Sequence, residues 1–263
     1  MLWILLLTVV LIFTIQVFIA LKLKDKFCDL DRRFEKIDYN QLALKSQANL
    51  LVKKVDFTSL EIQNTTALTA LGLKYPVFLG GWSIDSFLGR WLSQHLLENR
   101  PQCIVEIGSG SSTTLIARTM ELLGENNITH FSVDHDKRYL DITRDITKLN
   151  GLEDRIEFIH APLVHYEEID MLWYESLSKT LNGHKIDLLI VDAPPGQIQP
   201  LSRYPAMPLL VSLLNEHCTV VLDDASRDEE QQIAHRWTKE NPTFNLEIIQ
   251  EGHGMAILSR QTI

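Results

Sequence analysis

Basic charge is scarce in this sequence: 25 Lys and Arg stand against 34 Asp and Glu, a formal net charge of −9. No stretch clusters the cations that phosphate neutralisation needs, so no nucleic-acid partner is expected. Cysteine is scarcer still. Cys28, Cys103 and Cys218 are widely spaced and lie outside any C-x-x-C pattern, which argues against a disulfide framework or thiolate zinc site and fits a reducing compartment. The nine histidines form no H-x-x-x-H or H-E-x-x-H pair and no G-x-S-x-G elbow occurs, so zinc hydrolysis and serine-elbow chemistry lack their residues. No internal repeat or low-complexity tract is visible. What remains, 45% hydrophobic and 22% charged over 263 residues, has the composition of a globular α/β domain with an appendage.

That appendage is the start of the chain. MLWILLLTVVLIFTIQVFIAL, residues 1–21, carries no charge, and as a helix it is about 30 Å long, enough to cross a bilayer core. With no basic n-region before the run and no A-x-A-like site after it, an uncleaved transmembrane anchor is expected rather than a signal peptide. Lys22, Lys24, Lys26, Arg32, Arg33 and Lys36 follow the run and no Lys or Arg precedes it. The positive-inside rule then gives a single-pass membrane protein whose remainder is cytoplasmic. Over residues 22–57, Phe27, Leu30, Phe34, Ile37, Gln41, Leu44, Ala48, Leu51 and Val55 recur at alternating steps of three and four. Two readings fit: a coiled-coil stalk that makes a homo-oligomer, or an amphipathic helix lying on its own domain. The Pro and Gly of LGLKYPVFLGGW mark a loop entering the main domain, residues 58–263.

From Trp82 onward, apolar runs alternate with helical patterns. Strands are expected at CIVEI, HFSVD, IEFIH, IDLLIVD, CTVVLDD, FNLEII and GMAILS. Helices are expected at 84–98, 112–124, 137–149, 167–181, 203–216 and 228–240. Such alternation predicts a Rossmann-like, doubly wound, mostly parallel seven-stranded sheet, because parallel crossovers require a helix between strands. Ligands of such sheets lie beyond the carboxyl ends of the strands. There the sequence places Glu106, Asp134, Asp192 and Asp223-Asp224.

The first of these ends, VEIGSGSSTT, narrows the ligand. Gly108 and Gly110 lack the third glycine of a dinucleotide fold, and no Gly-Lys-Ser/Thr follows as in a P-loop. Glu106 would repel a phosphate, which ranks an NAD-type oxidoreductase last. It would attract an ammonium or a sulfonium, while a carboxylate on the same ligand takes hydrogen bonds at the helix start. S-adenosylmethionine (SAM) has all three groups, and Asp134 can accept ribose hydroxyls at the next strand end.

VEIGSGSSTT, FSVDHD, IEFIHAPL, IDLLIVDAPPG and CTVVLDDAS stand in the order of the class I SAM-dependent methyltransferases, which residues 82–259 resemble. The similarity is greatest to the branch with a GGW loop (here Gly80-Gly81-Trp82), a D-A/G-P-P-G turn followed by RYPALPLL (here RYPAMPLL), and a DDA ending. The resemblance implies that Glu106, Gly108 and Gly110 form the turn under the methionine moiety. It makes Ser111, Ser112 and Thr114 hydrogen-bond donors to the cofactor carboxylate, Asp134 the ribose ligand and Ala161 the neighbour of adenine. Trp82 is either a lid or a core tryptophan under the sheet edge. Asp192, Asp223 and Asp224 resemble the triplet with which catechol-type O-methyltransferases hold Mg²⁺. The alternative is a metal-free cluster in which one carboxyl stays protonated. The lysine base of those enzymes is replaced by Pro195, leaving Asp192, His135, His160 and His165 as candidate bases.

Arg203 and Tyr204 either contact the acceptor or serve structure, Arg203 by pairing with an Asp at a helix start. Arg227 and Asp228-Glu229-Glu230 read as a solvated helix start. The expected function is methylation of a hydroxyl on a small-molecule, saccharide or lipid-linked acceptor. The competing reading is an anchored, non-catalytic scaffold on the same fold.

Overall fold

The strands sort their side chains between two cores, and this determines the layering. Val105, Ile107, Phe131, Val133, Leu189, Val191, Val220 and Leu222 point into one hydrophobic cluster. Their neighbours Ile104, Leu188, Ile190 and Val221 point into the other. Strands that are apolar on both faces must be covered on both faces, as parallel strands with crossover helices are. In the computed structural model, which describes residues 2–125 and 127–260, seven strands form one sheet. They are β1 (Cys103–Ile107), β2 (Thr129–Asp134), β3 (Glu157–His160), β6 (Ile186–Val191), β7 (Leu214–Asp223), β8 (Phe244–Ile249) and β9 (Met255–Arg260), with β4 (Leu163–Tyr166) and β5 (Met171–Tyr174) standing apart. The order is β3-β2-β1-β6-β7-β9-β8, and β9 runs opposite to the other six strands. This is the doubly wound, mostly parallel sheet that the alternating pattern predicts.

Helices α2 (Ser86–Asn99) and α3 (Ser111–Leu122) cover one face. Leu88, Leu92 and Leu96 of α2, spaced at i and i+4, meet Leu115, Ile116 and Met120 of α3 in that core. Asp85 caps α2 by accepting the amides of Phe87 and Leu88 at 3.0 and 2.9 Å, an interaction of about 1 kcal/mol. Helix α4 (Lys137–Leu149) carries the chain from β2 to β3. The opposite face is closed by α5 (Leu177–Thr180), α6 (Ala206–Leu210) and α7 (Asp228–Glu240), through Leu177, Met207, Leu210, Ile233 and Trp237.

Three expectations need correction. The helix expected at 167–181 is a hairpin, β4 (Leu163–Tyr166) paired antiparallel with β5 (Met171–Tyr174), followed only by the short α5. LVHY and MLWY are rich in aromatic and branched residues that favour a pleated surface. The Gln199 amide then clips Leu172 through both its backbone N–H and C=O, at 2.8 and 2.9 Å, and the fully buried Trp173 and Tyr174 plug the core beneath. The helix expected at 203–216 is only α6, because Leu214 already pairs with Ile186 and opens β7. The helical stalk expected over residues 22–57 runs further: helix α1 (Leu2–Thr69) continues to Thr69 through a segment without Gly or Pro, and the loop expected at LGLKYPVFLGGW follows it. In its last turns Asn64 accepts Arg90 Nη1 at 2.9 Å and Leu68 joins the core.

The chain divides into two units, Met1–Thr58 and Ser59–Ile263. The first is helical throughout its described residues. It contains an 18-residue window of mean hydropathy 2.4, none of it buried, long and apolar enough to cross a membrane. Of the span expected at 1–21, Met1 lies outside the described residues.

Candidate active site

Strand order reverses between β1 and β6, since the chain winds outward from β1 through β2 to β3 and, on the other side, from β6 to β7. That reversal opens a crevice at the carboxyl ends of the two central strands. The turn after β1 is held from both sides. The Gly108 amide donates to Val133 O at 2.8 Å, while the amides of Asp192 and Ala193 donate to Ile107 O at 2.9 and 3.0 Å. Gly108 has φ +107°, and a Cβ there would come within 3.0 Å of Ala193 Cβ, so both conformation and space require glycine. Gly110 is different: its φ of −178° suits any residue, and a Cβ would meet open space. Here glycine keeps the floor of the crevice clear.

Glu106 is fully buried beneath this turn. Its Oε2 accepts from the Thr113 hydroxyl, which in turn accepts the Gly110 amide at 3.1 Å. Ser132 Oγ lies 3.4 Å and His130 Nε2 3.6 Å from the same oxygen. The other oxygen, Oε1, is buried without a hydrogen-bond partner among the described residues. Leaving such an acceptor unpaired is costly, and a ligand ammonium would satisfy it. Of the expected hydroxyl donors, Ser111 is occupied, donating to Phe78 O at 2.6 Å. Ser112 and Thr114 are buried, and Thr114 Oγ1 has no partner among the described residues. Thr113, which the sequence reading passed over, is the hydroxyl that organises the turn.

Asp134 closes β2 with both oxygens engaged, Oδ2 by the Ser109 amide at 3.0 Å and Oδ1 by the Asp136 amide at 2.8 Å. Burial raises its pKa, and the two amides oppose the shift. Each oxygen keeps a second lone pair for a ribose hydroxyl. The buried Ala161 is tied to the same place by its amide, which donates to Asp134 O at 3.0 Å. His135 Nδ1 stands 3.4 Å from Asp134 Oδ1, and the buried Tyr174 hydroxyl, unpartnered among the described residues, is pushed well above its usual pKa by burial and by Asp134. The orphaned Glu106 oxygen, the open space over Gly110 and the poised Asp134 carboxylate fit SAM.

Beyond this lies a cluster of acids around a buried arginine. Arg203, only 3% exposed, places Nη2 at 2.7 Å from Asp224 Oδ2 and 3.2 Å from Asp192 Oδ1, and Nη1 donates to Asp223 O at 2.9 Å. Glu230, buried in the first turn of α7, is 3.9 Å from the same guanidinium. Arg227 takes the remaining oxygen of Asp224 at 2.9 Å. Burial pushes Asp192 up to about 7, with Arg203 opposing and Asp224 and Glu106 adding to the rise. Asp223 is raised well above the ordinary carboxylate range, chiefly by burial and then by Asp192 and Asp224. Burial alone would lower the Arg203 pKa, but Asp192, Asp224, Asp223 and Glu230 raise it overall.

Asp192, Arg203, Asp223 and Asp224 line a cavity of about 320 Å³ with Trp82, Gln197, Arg227 and His253. Trp82 is 83% exposed, which overturns the core reading of that residue. Tyr204 does not reach the cavity. Its hydroxyl donates to Glu240 at 2.9 Å, and Arg236 stacks on its ring. Nor does Arg203 start a helix, since α6 begins at Ala206. The acidic run after Arg227 is not wholly solvated, because Glu230 is buried. Among the candidate bases, His160 contacts His135 O at 3.1 Å and His165 pairs with Asp170 at 3.0 Å, both outside the cavity lining. His253 is the histidine within it, missed because it comes from the tip between β8 and β9. Met255 pairs with Asp223, which brings that tip to the rim.

Residues 105–225 match the profile of a family described as a methyltransferase domain. No curated protein matches the sequence. Solved structures share the fold. An SAH-bound methyltransferase from Podospora anserina is 17% identical with a TM-score of 0.53, the match covering 69% of this chain and 81% of that one. An O-methyltransferase from Bacillus cereus in complex with SAH is 15% identical with a TM-score of 0.53, covering 77% and 91%. The O-methyltransferase of tomaymycin synthesis from Streptomyces achromogenes, in complex with SAM, is 15% identical with a TM-score of 0.51, covering 70% and 84%. At these identities the likeness establishes the fold, and with the family match it supports a class I methyltransferase.

Proposed function

We propose that this protein is a membrane-anchored, SAM-dependent methyltransferase that methylates a hydroxyl of an uncharged, saccharide-like acceptor. The observation that carries the reading is the rim itself. The unpaired Glu106 oxygen and Asp134 stand on one side of the reversal point, and Asp192, held at a pKa of about 7, stands on the other. When bound, SAM supplies an electrophilic methyl group on a sulfonium. Glu106 would hold its ammonium, Asp134 its ribose, and Ala161 would pack beside its adenine. Asp192 accepts the proton of the acceptor hydroxyl, a task suited to a base whose pKa lies near the working pH. Arg227 and Arg203 offset the negative charge that develops on that oxygen. Both arginines of the cavity are already engaged, Arg203 by Asp192 and Asp224 and Arg227 by Asp224, which leaves neither free to pair with an anionic acceptor. The exposed Trp82 ring, Gln197 and His253 offer the apolar face and hydrogen-bonding groups that a sugar ring uses.

A Mg²⁺ held by Asp192, Asp223 and Asp224 does not fit this donor set. The guanidinium of Arg203 lies between Asp192 and Asp224, and Arg227 takes the other oxygen of Asp224. Asp223, Asp224 and His253 each bring one ligand atom within 4.8 Å of the others, but an ion there would have to displace Arg227. Arg203 supplies the positive charge in place of a metal.

The test is calorimetry with SAM and SAH on the detergent-solubilised chain, followed by incubation with labelled SAM and membrane extract. Binding that is lost in Asp134→Ala, together with label on a hydroxyl, supports the reading. Binding of neither ligand points to the scaffold alternative.

A further inference from the structure

The first unit carries an apolar line along its helix. Phe27, Leu30, Phe34, Ile37, Leu44, Leu51 and Val55 lie on an uninterrupted helix, each between 47% and 66% exposed, and with Gln41 and Ala48 they make a line of alternating steps of three and four. In heptad terms Phe27, Phe34, Gln41, Ala48 and Val55 are a positions, and Leu30, Ile37, Leu44 and Leu51 are d positions. A repeat of 3.5 residues keeps one stripe in line only if two helices wrap around each other. Leu42, Leu50 and Val52 are exposed off this line and do not alter its period.

The flanking charges identify the occupant. Lys26 and Arg33 precede a positions, and Asp31 and Asp38 follow d positions. In a parallel, in-register pair these flanks face each other one heptad apart, so Lys26 meets the partner's Asp31 and Arg33 meets the partner's Asp38, each twice by symmetry. Within one chain Arg33 pairs with Asp29 at 3.0 Å, but both groups are exposed and such a pair contributes little. Gln41 faces its own copy in this register, where two amides can exchange hydrogen bonds. A slip of one heptad would set it against Phe34 or Ala48. Leucines at three of the four d positions, with the branched Val55 at an a position, favour two strands over three.

We propose that residues 27–55 pair with a second copy of this chain as a parallel, in-register, two-stranded coiled coil. This is independent of the methyl-transfer reading.

The test uses the full-length protein in detergent micelles, with Cys28→Ser removing the exposed native thiol while the buried Cys103 and Cys218 remain. Single cysteines are introduced by Gln41→Cys, Leu44→Cys, Tyr39→Cys and Leu42→Cys, and disulfide formation is driven with copper phenanthroline. Seam positions 41 and 44 are expected to cross-link into covalent dimers, and outward positions 39 and 42 to remain largely monomeric. Lys26→Glu with Arg33→Glu should weaken association about tenfold at low salt, and adding Asp31→Lys with Asp38→Lys should restore it. Equal cross-linking at all four positions, a monomeric or trimeric mass by light scattering, or charge reversal that leaves association unchanged overturns the proposal. A seam that lies instead on the bilayer or on its own domain gives the monomeric result.

Discussion

Replacing Arg203 by methionine keeps most of the side-chain volume and removes the buried cation that contacts Asp192, Asp224 and Glu230, leaving only the half-exposed Arg227 beside Asp224 and Glu230. The side chains of Arg203 and Glu230 are each 4% exposed and that of Asp224 is 10% exposed, so solvent screens these charges weakly. Removing one partner of a buried ion pair costs about 3–5 kcal/mol. For a domain of this size that lowers Tm by about 10 °C. The pH dependence separates electrostatics from lost packing. Asp192 and Asp223 have native pKa values above their unfolded values, so the native state binds more protons than the unfolded chain, and stability falls as pH rises through about 7. Because Arg203 holds both values down, its loss raises them further and steepens that fall. Thermal unfolding at pH 5 and pH 8 should therefore show the larger deficit at pH 8. Added Mg²⁺ should stabilise the variant more than the wild type, since oxygens once held by the guanidinium become free. A deficit below about 1 kcal/mol at pH 8, or one of the same size at both pH values, would refute the claim that the guanidinium neutralises the cluster.

Asp192→Asn should lower turnover at least about a hundredfold. The wild-type kcat/KM should rise with pH up to about 7 and then level off, and unchanged turnover in the variant would exclude Asp192 as the base. Gly108→Ala forces a Cβ at φ +107° against Ala193, a strain of about 1–3 kcal/mol, with a matching loss of SAM affinity measured by calorimetry. A variant as stable and as tight as the wild type would contradict the described turn. Trp82→Ala should leave Tm nearly unchanged because the ring is exposed, while raising the acceptor KM several-fold. A large drop in Tm would show that the ring packs in the core after all. EDTA should leave activity intact, and a loss reversed by Mg²⁺ would revive the metal reading.

The parts of the fold that the sequence reveals are those governed by local pattern. Apolar runs in CIVEI and IDLLIVD, and carboxylates closing four strands, place Glu106, Asp134, Asp192 and Asp223 on one rim, because each side-chain position follows from the period of its own strand. What escaped depends on distant residues. LVHYEEIDMLWY has helix formers in its middle, and the clip from Gln199 and the burial of Trp173 in the core tip it toward the hairpin that its flanks favour. The pairing of Arg203 with an Asp is among the expectations and holds, but that one guanidinium bridges two strand ends, at Asp192 and Asp224, follows only from the fold. Thr113 looked equivalent to its hydroxyl neighbours, and only the fold turns it toward Glu106.

The reversed strand β9 has a consequence of its own. Every other strand that ends at the rim launches a crossover, so altering its connection risks the layer that packs against the sheet. The turn from β8 into β9 arrives at the rim and goes straight back. Gly252 and Gly254, both at positive φ and both pressed against neighbours (Asp85 and Ser226), fix its path and leave His253 as the residue facing the cavity. Acceptor preference could therefore drift by exchange at a single hairpin tip, with the donor half of the pocket and the hydrophobic layers left untouched.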